Sequence, residues 1–527
     1  MDIVVRGALV VDGTGSPGRR ADVGIQNGRI AAVGAGPSGN RVIDAEGLVL
    51  APGFIDMHSH SDIQVLANPD HLAKISQGVT LEVLGQDGLS YAPVDDRTLD
   101  GLRAQLVGWN DDPPGFDWSW RGVGEYLDRL DRGIAVNAAY LLPQGTIRML
   151  VVGYESRRPT GSELDAMREL VATGMAEGAM GMSSGLTYTP GMYADTDELV
   201  ALCEVVGRLG GYYSPHHRSY GAGALEAYAE MVDVSRRSGC PLHLAHATMN
   251  FPVNAGRAGE LLALLDEAIA DGCDVSLDTY PYLPGATYLS ALLPSWAAEG
   301  GPDATLARLS DPDTRERIRI DLEEVGSDGC MGVPVDWAWI EINGVRRPEN
   351  AQLVGHSVAE SARRAGRPPT EFFFDTLIAE RLGTSCLMHV GHEDNVRTIM
   401  RHPVHTGGSD GLLVGERPHP RAWGTFPRYL GHYVRELGVL GLEECVSHLT
   451  GRAARRLRLT DRGLIREGYA ADLVLFDPDT VADTATFDNP RQPATGIPYV
   501  LVNGVPVIDD GRPTGALPGH SIRRQPS

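Results

Sequence analysis

Two histidines separated by one residue are the first groups in this sequence whose types and spacing are suited to chemistry. His58 and His60 stand in the stretch GFIDMHSHSD, which begins like a strand. Alternate residues of a strand face the same side, so both imidazoles point one way and Ser59 points the other way. Two imidazoles at a strand end can bind a metal ion, and a hydrogen-bonded structural pair explains this motif alone equally well.

Further histidines stand at the ends of two later predicted strands. The stretch GGYYSPHHRSYG contains His216 and His217, and PLHLAHATMN contains His243 and His246. Both pairs have an odd separation, so strand alternation predicts that only one member of each pair faces inward. A lone histidine of this kind is more often structural than a ligand. Three strand-end histidine sites in one predicted domain favour a metal centre.

Aspartates beside glycines are candidates for the acidic part of such a centre. Asp410 follows a short strand in HTGGSDGLLVGE, among glycines that let a substrate approach the backbone. The same Gly-Ser-Asp-Gly string recurs at Asp328 without a preceding strand, and we interpret Asp328 as a turn residue. Asp87 ends the strand VTLEVLG, and on these residues alone an Asp-Gly pair at that place favours a turn.

Parallel strands whose ends meet are needed to bring these side chains together. Helical stretches such as ELVALCEVVGRLGG and ELLALLDEAIADGC alternate with short apolar strands such as PLHLAHA and DVSLDTYPY. That alternation predicts an α/β fold with a parallel βα barrel. Both chain ends consist of short strands separated by Gly and Asn turns, and we expect them to pair as one β-sandwich beside the barrel.

The predicted domain organisation follows from these patterns. Residues 1–54 and 459–527 are expected to form the β-sandwich domain, and residues 55–458 the barrel. A segment around 286–350 contains Gly, Pro and Trp without a clean period, and we interpret it as an insertion into the barrel.

The composition limits the classes of partner. The chain has 527 residues and a formal net charge of -23. That charge repels phosphate backbones and anionic lipids at long range, so we expect no nucleic acid and no membrane as partner. Six cysteines without CxxC spacing predict neither a disulfide framework nor a cysteine-rich zinc site. The first residues have no signal-peptide pattern, which indicates a cytoplasmic protein, and a homo-oligomer stays open.

Several motifs together resemble the N-acyl-D-amino-acid deacylase (D-aminoacylase) family of the amidohydrolase superfamily. They run nearly from end to end: APGFIDMHSHSD, GAMGMSSGLTYTPGMYA, DTYPYLPGATYLSALLP, GGSDG, HPRAWGTFPRYLG and RGLIREGYAADLVLFDP. The resemblance implies a distorted (β/α)8 TIM-like barrel flanked by a small β-sandwich. It also implies a metal-dependent hydrolase that cleaves carbon-nitrogen bonds other than peptide bonds, namely the linear amide of a small N-acylated substrate.

The resemblance carries residue roles with it. The family's metal ligands match His58, His60, His216 and His246, and its catalytic aspartate matches Asp410. Asp410 is expected to act as general acid and base toward metal-activated water. One or two divalent ions are expected, Zn²⁺ first, with Mn²⁺ or Fe²⁺ as alternatives. Tyrosine motifs of the substrate pocket match Tyr188, Tyr280 and Tyr282, for which aromatic packing is an equal alternative.

Three positions depart from the family pattern. Asp87 stands where members usually have a cysteine ligand, so we expect an oxygen ligand there, and Pro143-Gln144 stands where they usually have Gly-His. Thr248, an expected substrate-binding residue, replaces a lysine that helps to hold the substrate carboxylate. Unless Arg346 or Arg347 of the insertion reaches the pocket, this change predicts that simple N-acetyl-D-amino acids are poor substrates and favours a neutral or differently shaped amide.

Three alternatives to linear-amide hydrolysis remain at the level of sequence. The pocket could hydrolyse a cyclic amide, imide or ureido bond of a specialised metabolite, because the same activated water can attack those carbonyl groups. Deamination of an amidine-like ring carbon is the second alternative. A barrel that binds a ligand without turnover is the third, and the missing cysteine and lysine support it.

Overall fold

The computed structural model describes residues 1–34, 36–329 and 331–524. Its strands are β1 Ile3–Val10, β2 Arg19–Gln26, β3 Arg29–Gly34, β4 Arg41–Asp44, β5 Val49–Pro52, β6 Phe54–Asp56, β7 Val79–Leu84, β8 Asn137–Pro143, β9 Gly181–Gly185, β10 Tyr212–His216, β11 Leu242–Leu244, β12 Val275–Thr279, β13 Gly285–Tyr288, β14 Ile340–Gly344, β15 His356–Ser357, β16 Ser385–Met388, β17 His405–Gly407, β18 Leu473–Phe476, β19 Tyr499–Val502, β20 Val505–Asp509 and β21 Arg512–Pro513.

The α-helices are distributed between and after these strands. They are α1 Gln64–Ala67, α2 Leu72–Ile75, α3 Asp96–Gln105, α4 Val107–Asn110, α5 Val123–Leu130, α6 Gln144–Val151, α7 Gly161–Ala176, α8 Thr196–Arg208, α9 Ala224–Ser238, α10 Ala258–Ala270, α11 Ser295–Ala298, α12 Pro302–Leu309, α13 Pro312–Ile320, α14 Val358–Ala365, α15 Pro369–Ala379, α16 Glu393–Met400, α17 Arg421–Arg428, α18 Leu442–Leu449 and α19 Gly451–Arg456. Among the described residues, no helix is long and apolar enough to cross a membrane.

Eight parallel strands form the central sheet, in the order β17-β12-β11-β10-β9-β8-β7-β6. The first and last strands approach each other, because Met57 N donates to Gly407 O at 3.1 Å and Asp410 N donates to His58 O at 2.8 Å. These bonds nearly close the sheet into the TIM-like barrel that the sequence predicted. The carboxyl ends of all eight strands therefore open onto one face, where active sites of such barrels lie.

Local sequence explains why the outer helices begin and end where they do. Thr160 caps α7 by accepting from Glu163 N at 3.3 Å, while the Glu163 carboxylate accepts from Thr160 N at 2.7 Å. Asp195 caps α8 in the same manner, and α9 ends at Gly239 with a left-handed φ of 67°. Such caps satisfy backbone groups that have no partner inside the helix, so each helix returns the chain to the next strand.

Segments from both chain ends pair in one sheet, as expected. Its order is β21-β20-β19-β18-β5-β1-β2-β3, with β4 also on β1, and the two ends of the chain meet where β5 pairs antiparallel with β18. One face of this sheet buries a separate apolar cluster that includes Val5 and Leu473, while Val49 and Phe476 join the main core beside the barrel. Because successive side chains of a strand point to opposite faces, the apolar residues of these strands contribute to both cores.

The segment predicted as an insertion is folded. Strands β13-β16-β14-β15 form a four-stranded sheet, which packs with helices α11–α15 around a core that includes Trp337, Phe373 and Phe374. Strand β16 lies in the middle of this sheet but beyond residue 350. We therefore propose that the insertion extends to Met388.

Candidate metal centre

Four histidines surround one carboxylate at the carboxyl end of the barrel. Asp87 follows β7, and its carboxylate oxygens lie 3.4 Å from a ring nitrogen of each of His58, His60, His216 and His246. All five side chains are buried. The Asp87 side chain therefore points into the site, although its backbone also makes the turn after the strand.

Unusual backbone conformations aim three of the acidic and imidazole groups. Asp87, His246 and Asp410 have φ angles of 54°, 31° and 48°. Residues with a Cβ atom rarely adopt positive φ, and each such conformation costs on the order of 1–3 kcal/mol. Contacts with the surrounding structure compensate for this cost. The positive φ directs each side chain from the strand end toward the barrel axis.

The ligand atoms form two overlapping groups that could each hold a metal ion. His58, His60, Asp87 and Asp410 make one group, and Asp87, His216 and His246 make the other, with the atoms of each within 4.8 Å of one another. Asp87 is common to both groups. Asp87 would therefore be a ligand in either site.

Unsatisfied polar atoms indicate that this cluster fits a metal. Both ring nitrogens of His58 and Oδ1 of Asp87 are buried without a hydrogen-bond partner in the described part of the chain. Buried polar atoms without partners are costly and normally require a bound ligand or ion. Imidazole nitrogen and carboxylate oxygen are donors that suit Zn²⁺ and neighbouring divalent metals.

A second layer of polar groups orients the histidines. Thr187 Oγ1 contacts His216 Nε2 at 2.6 Å, and the Tyr220 hydroxyl contacts His246 Nδ1 at 3.0 Å. Each bond occupies the ring nitrogen that faces away from Asp87, so the other nitrogen is directed into the centre. For His58, burial lowers the pKa, but the charges of Asp87 and Asp278 outweigh it and raise the pKa well above the ordinary value.

The prediction that only one histidine of each pair faces inward is correct for His216 and His217 and wrong for His243 and His246. His216 faces the site while His217 packs between aromatic rings. His243 and His246 both contact Asp278, through the His243 ring and the His246 backbone N–H. The rule fails here because β11 ends at Leu244, so His246 no longer follows the alternation of the strand.

The chain's one lysine lies beneath the centre. Lys74 Nζ is fully buried, 2.6 Å from Asp56 Oδ2 and 2.9 Å from Ser409 Oγ. The Ser409 hydroxyl also donates to Asp56 at 2.6 Å, and Ser409 directly precedes Asp410. This ionic network anchors the backbone that carries Asp410.

Asp410 stands between the histidines and a buried arginine. Its Oδ1 lies 3.2 Å from His60 Nε2, and its Oδ2 lies 3.0 Å from Arg421 Nη2. Burial would raise the pKa of Asp410, but the Arg421 charge and the His60 hydrogen bond hold this pKa below its ordinary range. Asp410 is therefore an ionised carboxylate that can accept a proton.

Arg421 is a candidate site residue that our sequence interpretation missed. It is fully buried at the start of α17, and its guanidinium lies 4.4 Å over the Tyr280 ring. Apart from the ion pair with Asp410, its three guanidinium nitrogen atoms have no hydrogen-bond partner among the described residues. The signal was present in the quoted stretch HPRAWGTFPRYLG, but no spacing argument connected that helix start to Asp410.

A cavity of about 70 Å³ opens onto these groups. Of the residues predicted to bind substrate, Tyr188, Thr248 and Tyr280 line it, together with Trp109, which was not predicted. Tyr282 does not line it. Its hydroxyl contacts Asp483 at 3.3 Å, because the chain has left strand β12 after Thr279.

Other predicted positions also lie away from the cavity. Arg346 and Arg347 of the insertion do not line it, and their backbone N–H groups donate to Glu380. Gln144, which stands where the family has histidine, donates to Glu198 at 2.9 Å and faces α8. Neither the insertion arginines nor Gln144 adds a group to the metal centre.

Comparisons with known proteins agree with this geometry. The family model described as "Amidohydrolase family" matches residues 41–508. D-aminoacylase of Alcaligenes xylosoxydans xylosoxydans is 35% identical over 526 residues, which cover 99% of this chain and 98% of that protein. N-acyl-D-glutamate deacylase of the same organism is 36% identical over 532 residues, which cover 100% and 97%.

A solved structure with bound ligands is similar along the whole chain. It is the N-acyl-D-glutamate deacylase of Bordetella bronchiseptica in complex with zinc and a phosphonate inhibitor that mimics the tetrahedral intermediate. Its TM-score is 0.85 at 32% identity, and the match covers 99% of this chain and 100% of that one.

Proposed function

This chain belongs to the amidohydrolase family, and from that membership we propose that it hydrolyses the amide bond of an N-acyl-D-amino acid. The observation that carries the proposal is the cluster of four histidines around Asp87, with Asp410 and the buried Arg421 beside it. It combines ligands for a divalent metal, an ionised general base and a cation for the substrate. A barrel that only binds a ligand does not require this combination of three groups.

The residues of the two groups are proposed to hold one or two divalent ions, Zn²⁺ first. The site with Asp87, His216 and His246 offers three protein ligands, as catalytic zinc sites commonly do. His58 and His60, with the other side of Asp87, offer the second site. When bound, a divalent ion lowers the pKa of a water molecule and polarises the scissile carbonyl group.

Asp410 is proposed to move the proton. As the water oxygen forms a bond to the carbonyl carbon, Asp410 accepts the proton of that water. It then donates the proton to the nitrogen when the carbon-nitrogen bond breaks, which yields a carboxylic acid and an amine. The Arg421 ion pair keeps Asp410 ionised before the reaction and orients one of its oxygens away from the histidines.

Arg421 supports a substrate that carries a carboxylate. A guanidinium has five N–H donors, and the Asp410 contact uses only one side of the group. A carboxylate that enters a partly dry cavity needs such a cation, because its desolvation is otherwise uncompensated. Arg421 does not itself line the cavity, but it contacts Asp410 and Tyr280, which do. We propose that it provides the charge that Thr248 lacks, which favours an N-acyl amino acid over the neutral amide that the sequence alone suggested.

A substrate panel with the metal-loaded protein tests this proposal. N-acetyl-D-amino acids should release primary amine, while their L-enantiomers, a neutral N-alkyl acetamide and a hydantoin should react far more slowly. A chelator should abolish turnover, and Zn²⁺ should restore it. Preferred hydrolysis of the hydantoin, or release of ammonia from a ring amidine, would replace the proposal by one of the alternatives. Normal turnover after complete metal removal would overturn it.

A further inference from the structure

The opposite end of the barrel carries a second and much larger cavity. It has a volume of about 580 Å³ and is lined by Tyr212 and Val275, the first residues of β10 and β12. The candidate metal ligands stand at the other end of the barrel, where His216 ends β10. Helix α19 and the segment 520–524 complete the lining, so the cavity is separated from the metal centre by the packed interior of the barrel.

Arginine dominates the lining of this cavity. Seven arginines and two aspartates line it, in a chain that has 69 acidic and 46 basic residues overall. Arginine is thus enriched here against the charge balance of the whole protein, and three of the seven, Arg456, Arg462 and Arg523, have carboxylate partners. Guanidinium groups that line the same cavity repel each other unless an anion or a carboxylate compensates their charge.

Some of these arginines have carboxylate partners and others do not. Arg456 donates to Asp274 Oδ1 at 2.7 Å, and Arg462 pairs with Asp472. Arg455 and Arg458 are exposed, and their guanidinium groups have neither an ion pair nor a hydrogen bond within residues 1–34, 36–329 and 331–524.

Two deeper arginines are desolvated. The Arg456 side chain is 7% exposed, and its buried Nε has no hydrogen-bond partner in the described residues. Arg452 lies against His448 Nε2. Burial lowers the pKa of Arg452, Glu444 opposes this, and the charge of Arg455 lowers it further. The buried arginines therefore add positive charge that carboxylates compensate only in part, beside the exposed N–H donors of Arg455 and Arg458.

A purely structural explanation accounts for part of this arrangement. Arg455 and Arg456 lie in the last turn of α19, where cations interact favourably with the helix dipole. That effect is limited to the last turn and does not require a cavity. It explains neither Arg458, which lies beyond the helix, nor the unsatisfied Nε of Arg456.

We propose that this cavity binds a small, multiply charged anion through its phosphate or carboxylate oxygens. Guanidinium groups bind both kinds of oxyanion with paired N–H donors. The volume lies within the range of small-molecule sites, roughly 300–1,000 Å³. The ligand enters at Arg455 and Arg458 and places an oxyanion group toward Arg452 and Arg456. This site is independent of the amide substrate, whose reaction takes place at the other end of the barrel.

Calorimetric titration of the metal-loaded full chain tests the proposal. The probes are inorganic phosphate and tricarballylate, a tricarboxylate, at a constant ionic strength of about 0.15 M. At least one of them should bind saturably, and the more tightly bound probe identifies the source of the oxyanion. The double substitution Arg455→Gln and Arg458→Gln should weaken that binding by roughly tenfold or more.

Arg19→Gln with Arg363→Gln is the matched control, because these two arginines are also exposed and lie outside the cavity. The control should keep the wild-type affinity, and both double variants should keep the wild-type turnover. No saturable binding of either probe would overturn the proposal. So would binding that survives the Arg455 and Arg458 substitutions, or an equal loss of affinity in the control.

Discussion

The tetrapeptide Gly-Ser-Asp-Gly occurs twice in this chain, at 326–329 and at 408–411, and the two copies have different surroundings. In the first copy, Asp328 Oδ1 accepts from the backbone N–H groups of Ser295 and Gly329, at 2.8 Å and 3.0 Å. In the second copy, Asp410 lies beside His60 and Arg421. The Asp328 carboxylate binds backbone groups of a turn, as predicted, whereas the Asp410 carboxylate faces the candidate metal centre.

The difference lies in what precedes and surrounds each copy. Asp410 follows a barrel strand and has a positive φ, which Asp328 does not have. Beneath the second copy, Ser409 contacts Lys74 and Asp56 in a buried ionic network. Identical local residues thus acquire different chemistry through the strand end and the buried charges that position them.

The largest contrast should come from matched substitutions of the two aspartates. Asp410→Asn removes the proposed general base, so kcat should fall by roughly 10³- to 10⁴-fold. Asp328→Asn keeps an amide oxygen that can accept the same backbone bonds, so kcat should stay within about twofold of wild type. Steady-state assays of both variants, with metal content measured, check this. Equal losses of kcat in the two variants would show that Asp410 and Asp328 do not differ in function.

Asp87 also precedes a glycine, and it tests whether position at a strand end decides the role of such an aspartate. Asp87→Ala should lose most bound metal and reduce turnover by about 10²-fold or more, because it removes the ligand common to both groups. Asp87→Cys should retain metal with a stronger preference for zinc over Mn²⁺. Elemental analysis and assays with each metal measure both effects. Full metal content in Asp87→Ala would return Asp87 to the role of a turn residue.

The proposed contact of Arg421 with the substrate carboxylate is a further difference between the two copies. Arg421→Met should raise KM for an N-acetyl-D-amino acid by roughly 10- to 100-fold, because a charged hydrogen-bonded contact is lost. It should change KM for a carboxylate-free acetamide far less. Arg428→Met, in the same helix but paired with Asp483, is the control. If KM for both substrates changes equally, the carboxylate does not bind Arg421.

The buried charges beneath the second copy should make stability depend on pH. Burial alone would raise the pKa of Glu82, but His71, Lys74 and Ser59 lower it from 4.5 to about 2. A carboxylate with a lowered pKa in the folded state stabilises the protein above pH 4.5 and loses this effect as the pH falls toward 2.

Glu82→Gln should therefore reduce the free energy of unfolding near neutral pH, by on the order of 3 kcal/mol. The difference from wild type should shrink below about pH 4.5. Denaturant unfolding of both proteins at several pH values measures it. A difference that does not vary with pH would mean that Glu82 acts through packing and not through its charge.

The smallest expected effect concerns the serine of the second copy. Ser409→Ala removes a hydroxyl that donates to Asp56 and contacts Lys74, and should cost about 1–2 kcal/mol of stability. Ser310→Ala is the control and should cost little, because the Ser310 hydroxyl is exposed and donates only to Leu306 O at the end of α12. A Ser409→Ala protein as stable as wild type would show that Lys74 and Asp56 position Asp410 without this bridge.

Short-range periodicity was sufficient to predict the barrel and the first histidine pair. The spacing of His58 and His60 expresses the strand period directly, and repeated helix-strand alternation implied that distant strand ends meet. The same rule could not place His246, because its strand ends two residues earlier and its backbone changes to positive φ. Side chains beyond regular elements depend on contacts that no local period encodes.

Arg421 shows the same limit at longer range. It reaches Asp410 from the first turn of a helix that follows a loop, so its place depends on how that loop closes over the barrel. Tyr282 lies in the family's tyrosine motif, yet its hydroxyl turns to Asp483. A motif identifies a segment, but the direction of a side chain outside a strand is decided by packing.

The burial of Lys74 has a practical consequence for handling the folded protein. Every other basic side chain is arginine or histidine, so reagents specific for lysine amines find no accessible side chain while the fold is intact. Dyes, cross-linkers and surface-coupling chemistry directed at lysine should therefore leave the native core untouched. The rate at which the Lys74 amine is modified therefore measures how often the barrel opens far enough to expose this side chain.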